Sequence, residues 1–74
     1  MQTIPERFGQ AIRKHRQARS LSQEDFADLA GIHRTYVSSV ELGKVAVSIE
    51  VASKLADALE VKLSTIWREI EKPR

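Results

Sequence analysis

The sequence predicts an all-α domain of five short helices, and three observations carry that prediction. Apolar residues recur at three- and four-residue steps, the spacing of one helix face. Aromatic residues make up only 5% of the chain, and the apolar–polar alternation of half-buried strands is sparse. Residues suited to start helices (Thr3, Ser22, Ser48, Ser64) alternate with residues suited to end them (Gly31, Gly43, Pro73). The 74 residues make one domain, near the size at which a single core becomes marginal.

Helix 1 opens on Thr3-Ile4-Pro5-Glu6. Thr3 can cap, Pro5 suits a position whose N–H would be unpaired anyway, and Glu6 can close a capping box. Phe8 and Ile12 give an inward stripe. Arg13, Lys14 and Arg16 crowd toward the end that favours cations, and the helix should stop near Arg19-Ser20. Ser22 caps helix 2, about residues 23–30, with Glu24 and Asp25 in its first turn. Phe26, Leu29 and Ala30 are expected inside, and Gly31 ends the helix because a left-handed residue is least strained as glycine. Helix 3 covers about residues 34–42 and stops at Gly43. Ser48 caps helix 4, Ile49 to Leu59, with a buried stripe of Val51 or Ala52, Leu55, Ala58 and Leu59. Ser64 is expected to cap helix 5, from Thr65 to about Glu71, ended before Pro73. The chain shows no internal repeat or linker.

Composition removes several function classes. There is no cysteine, so neither a disulfide framework nor a thiolate metal site is available. His15 and His33 are the only imidazoles, and no carboxylate cluster is spaced to join them, so no metal and no cofactor are expected. Neither a base-paired nucleophile nor a phosphate loop is visible; no catalytic residue, enzyme activity or small-molecule ligand is expected. The longest apolar run is three residues, which predicts no membrane span and no secretory segment, hence a soluble, cytoplasmic protein. Net charge is +2, and the excess lies in the first half, where Arg13, Lys14, Arg16 and Arg19 cluster. That patch suits an anionic partner and equally suits an ordinary charged helix face.

Residues 22–44 say more. Two short helices joined across a single glycine cross steeply, at roughly 90–120° in a helix-turn-helix, and the second projects from the domain. Ala27 is small where helix 3 should press on helix 2. Gly31 makes the turn, Ile32 plugs the corner, and Val37 and Val40 hold helix 3 down. Arg34, Thr35, Ser38 and Ser39 remain outward. Taken alone, that polar row is also what a solvated helix face looks like.

The stretch LSQEDFADLAGIHRTYVSSVELGK resembles the helix-turn-helix of the Xre/lambda-repressor-like family. Gln23, Ala27, Gly31, the plug at Ile32 and the Glu41-Leu42-Gly43 ending fall in register, and the likeness extends from about Phe8 to Trp67. It implies a compact five-helix lambda-repressor-like domain, residues 1–74, with the helix-turn-helix formed by helices 2 and 3. Within the family, HRTYVSSVE is most similar to the controller proteins of restriction–modification systems. The resemblance implies a sequence-specific transcriptional regulator, a homodimer on a short palindromic operator in double-stranded DNA. An antitoxin-type module, contacting a protein partner through helices 4 and 5 with weak or lost DNA binding, is the alternative.

The resemblance also assigns roles. Positions matching Arg34, Thr35 and Ser39 face bases in the family. Arg34 has the fork that pairs with O6 and N7 of guanine, and Thr35 can bond a base or press its methyl on thymine. Ser38 and Ser39 are short enough to reach a base or a phosphate. Gln23 and Lys44 match DNA-backbone contacts, and the Tyr36 hydroxyl is available for a phosphate. Arg16 and Glu41 match a structural ion pair. Ile66 and Trp67 could close the domain's own core, the commoner role of an apolar stripe. Yet Leu63, Ile66, Trp67 and Ile70 offer more apolar surface than a short terminal helix needs, so part of this set is expected at a dimer interface. The sequence departs from the family at Ser20, where glycine is common; at His33, a poor cap; at Leu42, where Arg or Asn is frequent; and at Val45–Ser48. Val45 and Val47 cannot bond phosphates through their side chains and either pack locally or touch DNA sugars.

Overall fold

The computed structural model describes residues 2–71. They form five helices: α1 (Ile4–Ala18), α2 (Gln23–Ala30), α3 (Arg34–Glu41), α4 (Ile49–Ala58) and α5 (Leu63–Glu71). The starts follow local chemistry. The Thr3 side chain accepts from the Glu6 N–H at 3.2 Å while Glu6 Oε1 accepts from the Thr3 N–H at 2.8 Å, a complete capping box. The Ser22 and Ser48 hydroxyls accept from the N–H groups of Asp25 (2.9 Å) and Val51 (3.1 Å).

The first four helices end alike. In each, one N–H reaches back five residues and the N–H before it reaches back three, the Schellman arrangement. The pairs are Leu21 to Arg16 with Ser20 to Gln17, Ile32 to Ala27 with Gly31 to Asp28, Lys44 to Ser39 with Gly43 to Val40, and Val61 to Ala56 with Glu60 to Asp57. This arrangement needs a left-handed residue. Gly31 and Gly43 supply it at φ 71° and 74°. Ser20 and Glu60 supply it at φ 58°, where a Cβ costs roughly 1–2 kcal/mol.

Three expectations need correction. Helix α5 begins at Leu63, before Ser64. The Lys62 carbonyl takes the opening bonds, from Thr65 N at 2.9 Å and Ile66 N at 3.3 Å, so Ser64 sits within the first turn. Leu29 points outward, 62% exposed, because Phe26, Ala27 and Ala30 occupy the inner face of α2. In α4, Ala56 joins Ala52, Leu55 and Leu59 in the core, while Val51 and Ala58 are only half-buried. The expected stop before Pro73 lies outside the described residues.

Helix α1 rests on α3 and α5, α2 on α3 and α4, and α4 on α5. The side chains of Ile12, Phe26, Val37, Val40, Leu55, Leu59 and Ile66 fill the centre. At the α1–α3 crossing a Cβ on Gly9 would lie 2.1 Å from the Val40 carbonyl oxygen and 2.8 Å from that of Glu41. The two backbones meet there, so residue 9 has no room for a side chain. Among the described residues, no helix is long and apolar enough to cross a membrane.

Candidate nucleic-acid interface

Val37 and Val40 seat α3 on the core, which turns Arg34 and Thr35 into solvent and leaves Ser38 and Ser39 half-buried at the edges. His33 opens the helix without a side-chain cap bond. Arg34, Thr35 and Ser38 share one shallow depression with Ser22, Gln23 and Glu24. The fold thus gathers three of the four base-reading candidates beside the backbone candidate Gln23, although 11 to 15 residues separate them in the chain. Ser39 is not part of that lining. Tyr36 is half-buried against the core, and Lys44 is exposed just beyond α3, its N–H bound to the Ser39 carbonyl at 2.9 Å.

Beneath this surface lies a charged network. Arg16 donates from Nε to Glu41 Oε2 at 2.6 Å and from Nη2 to Oε1 at 3.0 Å. Its Nη1 donates to the Leu21 carbonyl at 2.7 Å. The two side chains are 11% and 3% exposed, so α1, the α1–α2 turn and the end of α3 are tied by one buried bidentate pair. Gln23 joins it, donating from Nε2 to Glu41 Oε1 at 3.1 Å. Sequence reasoning missed that last bond, since it spans the start of α2 and the end of α3 and exists only once the helices cross.

The apolar side of α5 divides differently from expectation. Ile66 and Ile70 are 0% and 3% exposed within the monomer, so they belong to its own core and are withdrawn as interface residues. Leu63 and Trp67 remain. They line an apolar groove of about 530 Å³ with Ile4, Phe8, Val45, Val47 and Ile49. Val45 and Val47 therefore pack locally, against the core and along this groove. Trp67 is 46% exposed and Ile49 84%, large apolar surface that the fold leaves uncovered.

Glu69 clamps α5 to α1. It takes Lys14 Nζ at 3.0 Å and His15 Nε2 at 2.9 Å. Burial pushes the Glu69 carboxyl up, but the hydrogen bonds and charges of Lys14 and His15 outweigh it and hold it below its ordinary value of 4.5. Among the described residues, no group of three His, Cys, Asp or Glu side chains is placed to hold a metal ion.

A family described as helix-turn-helix matches residues 12–66. The control protein C.MunI of a Mycoplasma species is 41% identical over 73 residues, 97% of this chain and 99% of that one. Among solved structures, the restriction-modification controller protein C.AhdI from Aeromonas hydrophila superposes with a TM-score of 0.81 at 42% identity, over 84% of this chain and 94% of that one. The controller protein C.Esp1396I, solved as a tetramer in complex with its natural 35-base-pair operator, superposes with a TM-score of 0.83 at 25% identity, over 97% of this chain and all of that one.

Proposed function

The chain belongs to the helix-turn-helix family, and from that premise we propose that it is a transcriptional regulator that binds a short palindromic DNA operator as a homodimer. The observation that carries the reading is the depression shared by Gln23, Arg34, Thr35 and Ser38. It is a polar strip in which Arg34 and Thr35 are exposed and Gln23 and Ser38 half-buried. The start of α2 flanks it, where the N–H groups ahead of the Asp25 N–H capped by Ser22 have no partner within the helix and favour phosphate.

In this reading α3 enters the major groove. Arg34 and Thr35 meet base edges, Ser38 and Ser39 reach bases or phosphates at the margins, and Gln23, Tyr36 and Lys44 hold the backbone. Arg16 and Glu41 keep α3 at its angle. Likeness to C.MunI along nearly the whole of both chains, and to the restriction-modification controller C.AhdI, supports a controller of a restriction–modification system, acting in the cytoplasm where its DNA lies.

One copy carries one reading helix, and its body measures 33 × 22 × 22 Å. Two successive major-groove faces lie about 34 Å apart, so a palindrome calls for a second copy. The groove rimmed by Leu63, Trp67, Val45, Val47 and Ile49 is the surface we assign to that contact. A two-fold contact buries the same patch on both copies and would cover Trp67 and Ile49 together.

The test is selection of bound duplexes from a randomised pool, then titration of the winner against salt. A palindromic winner whose affinity falls by about 10³–10⁵ between 50 and 200 mM salt, as 6–10 phosphate contacts require, is the expected outcome. Failure to enrich any sequence, or binding indifferent to salt, would overturn the proposal.

A further inference from the structure

The network under the reading surface bears on DNA binding directly. Glu41 is buried, and its carboxylate accepts three hydrogen bonds, two from Arg16 and one from Gln23. A carboxylate can only accept, so the Gln23 amide must turn its nitrogen, and not its oxygen, toward Glu41. A free glutamine at a helix start would sample either orientation and several rotamers. This one is held by a buried charge that is itself fixed in two bonds to Arg16. One amide N–H is thereby committed, and among the described residues the other has no partner. That second N–H belongs to a side chain lining the depression with Arg34, Thr35 and Ser38.

We propose that Glu41, held by Arg16, is a positioning residue for DNA binding: it fixes the Gln23 side-chain amide so that its second N–H is presented to a phosphate oxygen. The inference rests on the DNA-binding reading above. Its content is that the ion pair has an orienting role as well as a stabilising one. A phosphate demands a donor, and an amide locked nitrogen-inward cannot offer its oxygen there by mistake. Prior fixation also removes the side-chain entropy that an unrestrained glutamine would lose on binding.

The contact has a recognisable signature. Gln23 is neutral, so its loss removes a hydrogen bond without changing how many counterions are released. Lys44 is charged, and losing a phosphate contact there lowers the salt slope by about 1.

The test uses the full chain and the duplex selected above, with a scrambled duplex as the second probe. Affinities are read by fluorescence anisotropy at a temperature where melts show every variant folded. Gln23→Ala is expected to weaken both duplexes by about tenfold or more, the worth of a hydrogen bond to a charged group, with the salt slope unchanged. Glu41→Gln, an isostere that no longer dictates the amide's orientation, is expected to reproduce most of that loss. The double variant should then be no weaker than Gln23→Ala alone, because the second change acts through the first. If Glu41→Gln lowers only the melting temperature and leaves affinity intact, or if the two losses multiply, the positioning role is refuted.

Should Glu41→Gln fail to fold, the wild-type protein still decides. NMR can follow its two Gln23 amide protons separately, and adding the duplex is expected to shift one and leave the Glu41-bound one in place. Loss of both, or movement of neither, overturns the inference. Absence of any wild-type binding refutes the DNA-binding reading, whereas wild-type binding with an unaffected Glu41→Gln refutes only the positioning role.

Discussion

Gly9→Ala tests the packing logic of the whole domain, because helix propensity and packing predict opposite signs. In an open helix position the change would stabilise by about 0.8–1.0 kcal/mol. At the α1–α3 crossing the new Cβ would lie 2.1 Å from the Val40 carbonyl oxygen, and relief to 3.0 Å needs about 0.9 Å of separation. A gap of that size forfeits about a quarter to a half of the dispersion between atoms facing each other across the crossing. It also stretches the Arg16–Glu41 bonds, now 2.6 and 3.0 Å, since they span the same two helices. Overpacking of this kind costs about 1–3 kcal/mol, and losing roughly half of a buried ion pair whose outright rupture costs about 3–5 kcal/mol adds about 2 kcal/mol. After subtracting the propensity gain, we expect about 2–4 kcal/mol of destabilisation. A chain this size has only about 4–11 kcal/mol in total. The melting temperature should fall by roughly 10–30 °C in far-ultraviolet circular dichroism, with urea melts in agreement. Gln10→Ala, one residue along on the exposed side, is the control and should stay within about 0.5 kcal/mol. If Gly9→Ala melts at or above the wild-type temperature, the close-approach argument is wrong.

Ser20→Gly should raise stability by about 0.5–1 kcal/mol in the same melts, because glycine relieves the left-handed strain and loses some of that gain to chain entropy; an unchanged or lower melting temperature would contradict it. Glu69→Gln should cost stability in a pH-dependent way. The native carboxyl titrates below 4.5, so its contribution is present above that value and disappears as pH falls through the lowered one. Melts of both proteins from pH 7 to pH 3 should therefore converge at the acid end, and a constant gap would speak against the clamp. Trp67→Glu should leave the fold intact and turn the protein monomeric at high micromolar concentration by analytical ultracentrifugation; a persistent dimer would remove the groove as the contact surface. Arg34→Ala should relax preference at one base position by about 1–3 kcal/mol when the pool selection is repeated, and an unchanged preference would take Arg34 out of base reading.

What was legible in the sequence is what local chemistry decides. Thr3 with Glu6, Ser22 and Ser48 start helices through bonds that span three residues, and Gly31 and Gly43 stop them through a backbone conformation glycine tolerates. Ser64 misled because a hydroxyl residue is only a local preference. The chain leaves the α4 ending at Val61 and re-enters a helix at Leu63, whose half-buried side chain packs on the core. Leu29 and Ala30 are adjacent, and period alone does not say which faces inward; the positions of α3 and α4 decide it. The same limit applied to α5. Its stripe was visible, but the split between Ile66 and Ile70 inside and Trp67 at the rim depends on where α1 and α4 lie. The site was legible as a set of residues and not as a network. Nothing in the order of the chain reports that Gln23 touches Glu41, or that residue 9 lies against the carbonyls of Val40 and Glu41.

The brevity of α3 has a consequence for how much information the domain can carry. Eight residues span about 12 Å, and at about 3.4 Å per base pair that covers three or four positions. A pair of such helices reads about six to eight letters, which distinguishes at most roughly 65,000 sequences, whereas a genome offers about 10⁶ or more competing sites. By chance alone a perfect match would recur on the order of fifteen times in such a genome. The address must therefore be lengthened by something other than side chains: the deformability of the untouched base pairs between half-sites, or two neighbouring sites occupied together.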